Sequence, residues 1–151
     1  MKMKKIMKKI GIGMSIAVMA AVCLAGCGSS SIKDSKAGEV MKGLPEGFEE
    51  ETIKEQAMED IKLAQSNDYE SWKSRFSPEF QENLTEDNYQ SYIEHIEKQG
   101  EFKGFGKCSY LGQIKDEKKY AGVIIVVKYE EGNVKYSVAY DENMNLISFT
   151  M

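Results

Sequence analysis

Apolar residues recur with a helical period in the chain that follows residue 48. Between residues 50 and 66 they are spaced three or four positions apart, which places them on one face of a helix. These residues are Ile53, Ala57, Ile61 and Ala64. Acidic residues gather at the start of the segment, where they favour the positive end of the helix dipole. The pattern predicts a first helix over residues 50–66.

Three further helices are predicted between residues 69 and 100. Asp68, Ser77 and Thr85 can each cap a helix N-terminus, and Pro78 suits a first helical turn. Gly100 is suited to the left-handed conformation that often ends a helix. The residues expected on the buried sides of these helices are Tyr69, Trp72, Phe76, Phe80, Leu84, Tyr89, Tyr92, Ile93 and Ile96.

The last third of the chain changes to the period of two that is typical of strands. Four strands are predicted over residues 103–115, 120–129, 134–140 and 146–151, and turn-forming residues separate them. Short connections favour an antiparallel meander. Helices followed by strands predict an α+β domain, with the N-terminal helices packed on one face of a four-stranded sheet.

The strand segment at residues 123–127 is apolar on both of its faces. Since the predicted helices can cover only one face, Ile124 and Val126 are expected to point away from them, beside Leu111 and Ala139 on the neighbouring strands. An exposed apolar patch inside a polar rim often marks an interface. We therefore expect these four residues to contact a second copy of the chain or a protein partner. A patch that is merely exposed is the alternative.

Residues 1–26 have the layout of a secretory signal peptide. The first ten residues carry five lysines and no acid, and residues 11–25 carry no charge. The apolar run is shorter than the roughly 20 residues that a spanning helix needs, so a cleaved signal is favoured. A signal-anchor helix is the alternative.

The end of this segment, Leu24, Ala25, Gly26 and Cys27, resembles the lipobox of bacterial lipoproteins. The resemblance implies that the first three residues are read by a signal peptidase and that Cys27 becomes a diacylglyceryl-modified N-terminus. Cys23 lacks the branched apolar residue that the motif places upstream. Because two acyl chains suffice for stable anchoring, we expect the protein on the extracytoplasmic face of a bacterial membrane, with a Gram-positive organism favoured.

The stretch after Cys27 predicts a flexible tether. Residues 28–47 are rich in Gly, Ser and Lys, a composition that buries too little apolar surface to become ordered. The expected organisation is therefore a signal peptide over 1–26, a lipidated cysteine and tether over 27–47, and one domain over 48–151.

Removal of the signal makes the chain strongly acidic. The whole chain has 20 basic and 24 acidic residues, and residues 27–151 keep 15 basic against the same 24 acidic residues, a net charge of −9. Such a chain repels phosphate backbones, so a nucleic-acid partner is not expected.

The motifs NDYESW at residues 67–72, FSPEF at 76–80 and GEFKGFGK at 100–107 resemble the small bacterial extracellular domains called DUF3887. More broadly, helices followed by hairpins look like the NTF2-like (cystatin-like) fold. That resemblance implies a space between helices and sheet, and it supplies no catalytic residue. Fold alone does not choose among the binding, isomerase and association roles found on such scaffolds.

Six aromatic residues are expected to face this space: Tyr69, Trp72, Tyr89, Tyr110, Tyr136 and Tyr140. In NTF2-like enzymes the resemblance would allow a tyrosine to stabilise an oxyanion while a carboxylate moves a proton. No acid falls at an inward strand position, so the acid–base pair is missing. A packed aromatic core is the main interpretation, and a small-ligand pocket is the alternative.

Other chemistry is weakly supported. His95 and Cys108 are too few for a zinc site, and the acidic runs at 49–51 and 116–117 read as solvated surface, with weak calcium binding as the alternative. We expect no catalytic residue, metal or cofactor. The favoured function is a lipid-anchored binding or protein-association domain without enzymatic activity. The alternatives are a small NTF2-like isomerase or hydrolase and a structural lipoprotein that contacts the cell wall.

Overall fold

The computed structural model describes residues 39–151 and shows four helices and five strands within that range. In chain order the elements are β1 (Glu39–Lys42), α1 (Glu50–Gln65), α2 (Tyr69–Ser74), α3 (Pro78–Gln81), α4 (Glu86–Glu97), β2 (Phe102–Lys115), β3 (Lys118–Tyr129), β4 (Asn133–Tyr140) and β5 (Leu146–Thr150). The α+β class is confirmed. The expected signal peptide, the lipobox and Cys27 lie outside the described residues.

Side-chain caps set two of the helix starts. The Asp68 carboxylate accepts hydrogen bonds from the Ser71 backbone N–H (3.1 Å) and hydroxyl (2.6 Å) at the start of α2, and these bonds lower the Asp68 pKa. The Thr85 hydroxyl accepts from the Asn88 N–H at the start of α4 (3.3 Å). Ser77 precedes the Pro78 turn as expected, but its hydroxyl makes no capping bond.

The sheet is an antiparallel meander in the order β1-β2-β3-β4-β5. The expectation of four strands is wrong, because a fifth strand, β1, pairs with β2 from Glu39 opposite Ile114 to Lys42 opposite Leu111. β1 comes from the stretch that composition assigned to the tether. Four residues are too few to show a period, and backbone pairing with a longer strand forms this one.

Turn geometry fixes the register of the central hairpin. Asp116 and Glu117 connect β2 to β3 with φ angles of 51° and 64°, the left-handed pair of a two-residue hairpin turn. Lys115 and Lys118 therefore lie directly opposite each other. Register irregularities interrupt β2 between Phe102 and Cys108, around Gly104 and Gly106, because glycine tolerates the backbone geometry of a bulge.

The core lies between the four helices and one face of the sheet, which we call the inner face. Val123, Ile125 and Val127 of β3 point to it and are buried, as are the four apolar residues predicted on the buried side of α1. The opposite side of the sheet is called the outer face below. Helices α1, α2 and α4 contribute buried residues to the inner side, and α3 packs the partly buried Phe80 against them.

Candidate functional site

The six aromatic residues expected to line a pocket are held in packed positions. Trp72 lies 5.0 Å from Tyr89 and 4.9 Å from Phe76 between ring centroids. Tyr136 lies 5.6 Å from Phe149, and Tyr69 lies 5.6 Å from Tyr89. Tilted and edge-on rings at these distances fill space efficiently. The aromatic side chains therefore fill the space between helices and sheet, and a ligand would have to displace them.

The hydroxyls of this group are bound within the protein. Tyr89 donates to the Ala64 carbonyl (2.7 Å) and Tyr69 donates to the Leu84 carbonyl (2.9 Å). The Tyr110 hydroxyl lies 3.4 Å from the Cys108 sulfur. Burial of polar groups is tolerated when each finds a partner, so these contacts fit a structural core.

Three tyrosine hydroxyls form a continuous chain through the centre. Gln65 donates to Tyr129 (2.6 Å), and the Tyr129 and Tyr136 hydroxyls lie 3.0 Å apart. The Tyr136 and Tyr92 hydroxyls are again 3.0 Å apart. Burial raises the pKa of all three tyrosines well above the usual range. The chain is therefore neutral at physiological pH and ties α1 and α4 to two strands.

A buried carboxylate is present, contrary to the expectation that none faces the core. Asp60 of α1 is 1% exposed and accepts from Arg75 Nε (2.6 Å) and the Tyr140 hydroxyl (2.6 Å). Position 60 lies three residues after Ala57 and seven after Ile53, so the helical period places it on the buried face of α1. The sequence reasoning searched the strands for an inward acid and omitted the helix.

The Asp60 site has the geometry of a structural ion pair. Arg75 Nε donates to Asp60 Oδ1, and Tyr140 donates to Oδ2. Asp60 Oδ2 also accepts from Arg75 Nη2 (3.2 Å) and Gln56 Nε2 (3.3 Å). Arg75 Nη2 donates in addition to the Met144 carbonyl (3.1 Å). Hydrogen bonding to Asp60 raises the Arg75 pKa, while burial and Asp60 raise that of Tyr140. With donors on both oxygens, the carboxylate links α1 to Arg75, which follows α2, and to Tyr140 of β4. Arg75 in turn bonds the β4–β5 loop at Met144.

A surface depression lies at the start of α1, away from the aromatic residues. It has a volume of about 240 Å³ and is lined by Gly47, Phe48, Glu49, Thr52, Ile53, Glu142 and Met144. None of the six predicted pocket residues lines it.

The outer face carries the four residues predicted for an interface. Leu111 and Ala139 flank Gly122 in one cross-strand row, and Ile124 and Val126 follow on β3. Leu111, Ile124 and Val126 are half-buried, whereas Ala139 is only 1% exposed. None of the four belongs to the core cluster formed by the described residues. The structure therefore brings them together on the side of the sheet opposite the helices.

Within residues 39–151, the charged residues that strand pairing assigns to the outer face are all lysines. Residues opposite each other on paired strands share a face, so the register assigns Lys42, Lys115, Lys118, Lys128 and Lys135 to this side. Lys115 is half-buried and the other four are exposed. The remaining positions of these rows are apolar, glycine, tyrosine or uncharged polar residues.

The other candidate groups are dispersed. His95 is exposed, as expected, and Cys108 is half-buried against Tyr110. Within residues 39–151, no three His, Cys, Asp or Glu side chains come close enough to hold a metal ion. The same range contains no helix with the length and apolar content needed to span a membrane.

These features define an α+β domain with a filled aromatic core and a second sheet face that carries lysines. The family described as "Protein of unknown function (DUF3887)" matches residues 49–149, and the chain belongs to this family. It is also similar to a protein from Ruminococcus gnavus ATCC 29149 whose structure was determined by NMR. That protein is 72% identical, with a TM-score of 0.71, over 76% of this chain and 100% of the other. No curated protein matches the chain.

Proposed function

We propose that this protein is a lipid-anchored, extracytoplasmic association domain that binds through the outer face of its sheet and has no enzymatic activity. The observation that carries the proposal is the half-buried apolar group of Leu111, Ile124 and Val126, which lies outside the core cluster. Binding a partner over such side chains is favourable because it removes their apolar surface from water.

The proposed fold assignment is NTF2-like. Four helices that lie between β1 and the other four strands of the antiparallel sheet, and that pack on one of its faces, support it. The packed rings and the fully bonded Asp60 carboxylate favour association over the isomerase or hydrolase alternative. An acid–base catalyst needs an oxygen that can reach a substrate, and both Asp60 oxygens already accept hydrogen bonds within the protein.

The proposed anchor is Cys27. Its position after Leu24, Ala25 and Gly26 supports diacylglyceryl attachment, and the 11 residues from Gly28 to Gly38 connect it to β1. We expect a Cys27→Ser variant to lose incorporated fatty acid and to leave the membrane fraction of the producing bacterium. Retention of both in Cys27→Ser would contradict the anchor.

Association through the outer face is tested with a photo-crosslinking amino acid. We expect the reactive group at position 124 to form a covalent adduct on intact cells, and the same group at the matched helix position 54 to form none. Substituting Val126→Asp should reduce the adduct at position 124, because a charge beside the contact opposes its burial. Equal adducts at positions 124 and 54 would refute the outer face as the interface.

A further inference from the structure

Charge is divided unequally between the two layers of the domain. The segment from Glu46 to Glu101, which contains all four helices, has 16 acidic and five basic residues. The segment from Phe102 to Met151, which contains β2 to β5, has six acidic and seven basic residues. The helical layer is therefore strongly negative and the sheet layer is slightly positive.

The division is sharpest on the outer face. Among the paired residues of the described strands, its charged side chains are the five lysines given above, and the rows that carry them contain no aspartate or glutamate. None of these lysines forms an ion pair with a described residue. Lys115 and Lys118 also lie directly opposite each other, an arrangement of like charges that destabilises a sheet unless an anion neutralises it. The outer face is thus complementary to a negatively charged surface.

The first strand of the domain, β1, lies beside Lys115 and itself carries Lys42. Glu39 pairs with Ile114, the neighbour of Lys115, and Lys42 lies on the outer face of the same edge strand. A flexible link of the length between Cys27 and Glu39 has a typical end-to-end distance of about 20 Å. If Cys27 carries the lipid, the tether holds this edge of the sheet close to the headgroups.

We propose that the outer face lies on the anionic lipid surface to which the protein is anchored. The lysines contact headgroup phosphates, the apolar side chains of Ile124 and Val126 enter the boundary region, and the acidic helices point away. Screening over about 8 Å at physiological ionic strength weakens the repulsion from the far layer. This inference rests on the proposed anchor at Cys27.

A second copy of the chain fits this face less well. A two-fold contact between outer faces would bring lysines of one copy against lysines of the other, and like charges across an interface oppose binding. A lipid surface offers phosphates at every lysine position. At an anionic surface, each lysine strengthens binding by about fivefold, so several weak contacts suffice once the tether keeps the domain nearby.

The test uses the mature chain, residues 27–151, with Cys108→Ser so that Cys27 is the one thiol. The protein is coupled through Cys27 to maleimide-bearing lipid in vesicles of phosphatidylcholine, with or without an equal share of phosphatidylglycerol. The acetylation rate of each lysine is then followed by mass spectrometry. We expect Lys118, Lys128 and Lys135 to react several-fold more slowly on the anionic vesicles than on the neutral ones. High salt should restore their rates, and Lys54 and Lys73 on the helices should not change.

A matched pair of variants separates position from total charge. Lys118→Glu with Lys135→Glu should abolish the protection of Lys128, whereas Lys54→Glu with Lys98→Glu, which changes the net charge equally, should leave it intact.

Equal rates on both kinds of vesicle would overturn the inference. Protection that appears without vesicles and grows with protein concentration would overturn it in favour of a second copy. Protection that requires an added envelope protein would overturn it in favour of an acidic protein partner.

This design also separates failure of the inference from failure of the proposed function. The lipid is attached chemically, so the vesicle result does not depend on whether the bacterium modifies Cys27. The fatty-acid labelling of the Cys27→Ser variant reports the anchor on its own.

Discussion

At the residue scale, Asp60 shows how one buried charge can organise several elements. Its carboxylate holds Arg75 and Tyr140 and lies at 1% exposure. Breaking a buried ion pair is costly because the remaining charge stays buried without its partner. Arg75 is 29% exposed, so water can partly solvate it and the cost lies at the lower end of the usual range.

We therefore predict that Asp60→Asn, which conserves the shape of the side chain, lowers the free energy of unfolding by about 3 kcal/mol. The control is Glu59→Gln on the exposed side of α1, which should change it by less than about 0.5 kcal/mol. Urea denaturation measures both. If Arg75→Met restores none of the stability lost in Asp60→Asn, the loss does not come from the unpaired cation.

At the element scale, β1 depends on a close approach between backbones. A side chain built at Gly112 of β2 would lie 2.7 Å from Pro45 Cδ and 2.8 Å from the Gly43 carbonyl oxygen. The segment that joins β1 to α1 thus crosses β2 where no side chain stands. The glycine requirement follows from this crossing and not from the φ angle.

We predict that Gly112→Ala destabilises the domain by about 1–3 kcal/mol, because backbone atoms must move to admit the methyl group. Ser109→Ala, at an exposed position of the same strand, is the control and should have little effect. Hydrogen exchange should show the loss of protection concentrated in β1 and in β2 from Leu111 to Ile114. Uniform loss over all five strands would contradict the local origin.

At the scale of the whole molecule, buried tyrosines link stability to pH. Burial raises the pKa of six of the eight tyrosines. These are Tyr89, Tyr92, Tyr110, Tyr129, Tyr136 and Tyr140. In the unfolded chain a tyrosine ionises near pH 10. Since the folded pKa values are higher, this stabilisation is complete below about pH 10 and is lost as the pH rises further.

We predict that between about pH 10 and 12 the folded protein develops only a minor part of the tyrosinate absorbance expected from its composition. The remainder should appear together with the loss of circular dichroism when the protein unfolds. Absorbance near the tyrosinate band and circular dichroism, recorded on the same samples, check this. Full ionisation with the native spectrum retained would show that the hydroxyl chain is open to solvent.

Much of the fold follows from local pattern. The period of 3.6 identified α1 through Ile53 and Ala57, and the period of two identified the four longer strands. The caps at Asp68 and Thr85 are formed as predicted. β1 was missed because four residues show no period, and Asp60 was missed because an acid on an apolar helix face breaks the pattern that defines the face.

By itself, the sequence determined the order of the elements from α1 onwards, the α+β class and the grouping of Leu111, Ile124, Val126 and Ala139 on one face, because helical and strand periods are local properties of the chain. Only the tertiary structure decided that the aromatic rings fill the space between the layers, that Asp60 meets Arg75 and Tyr140, and that lysines of four strands share the outer face. Those facts depend on strand register and on contacts between residues far apart in the chain, which no local period specifies.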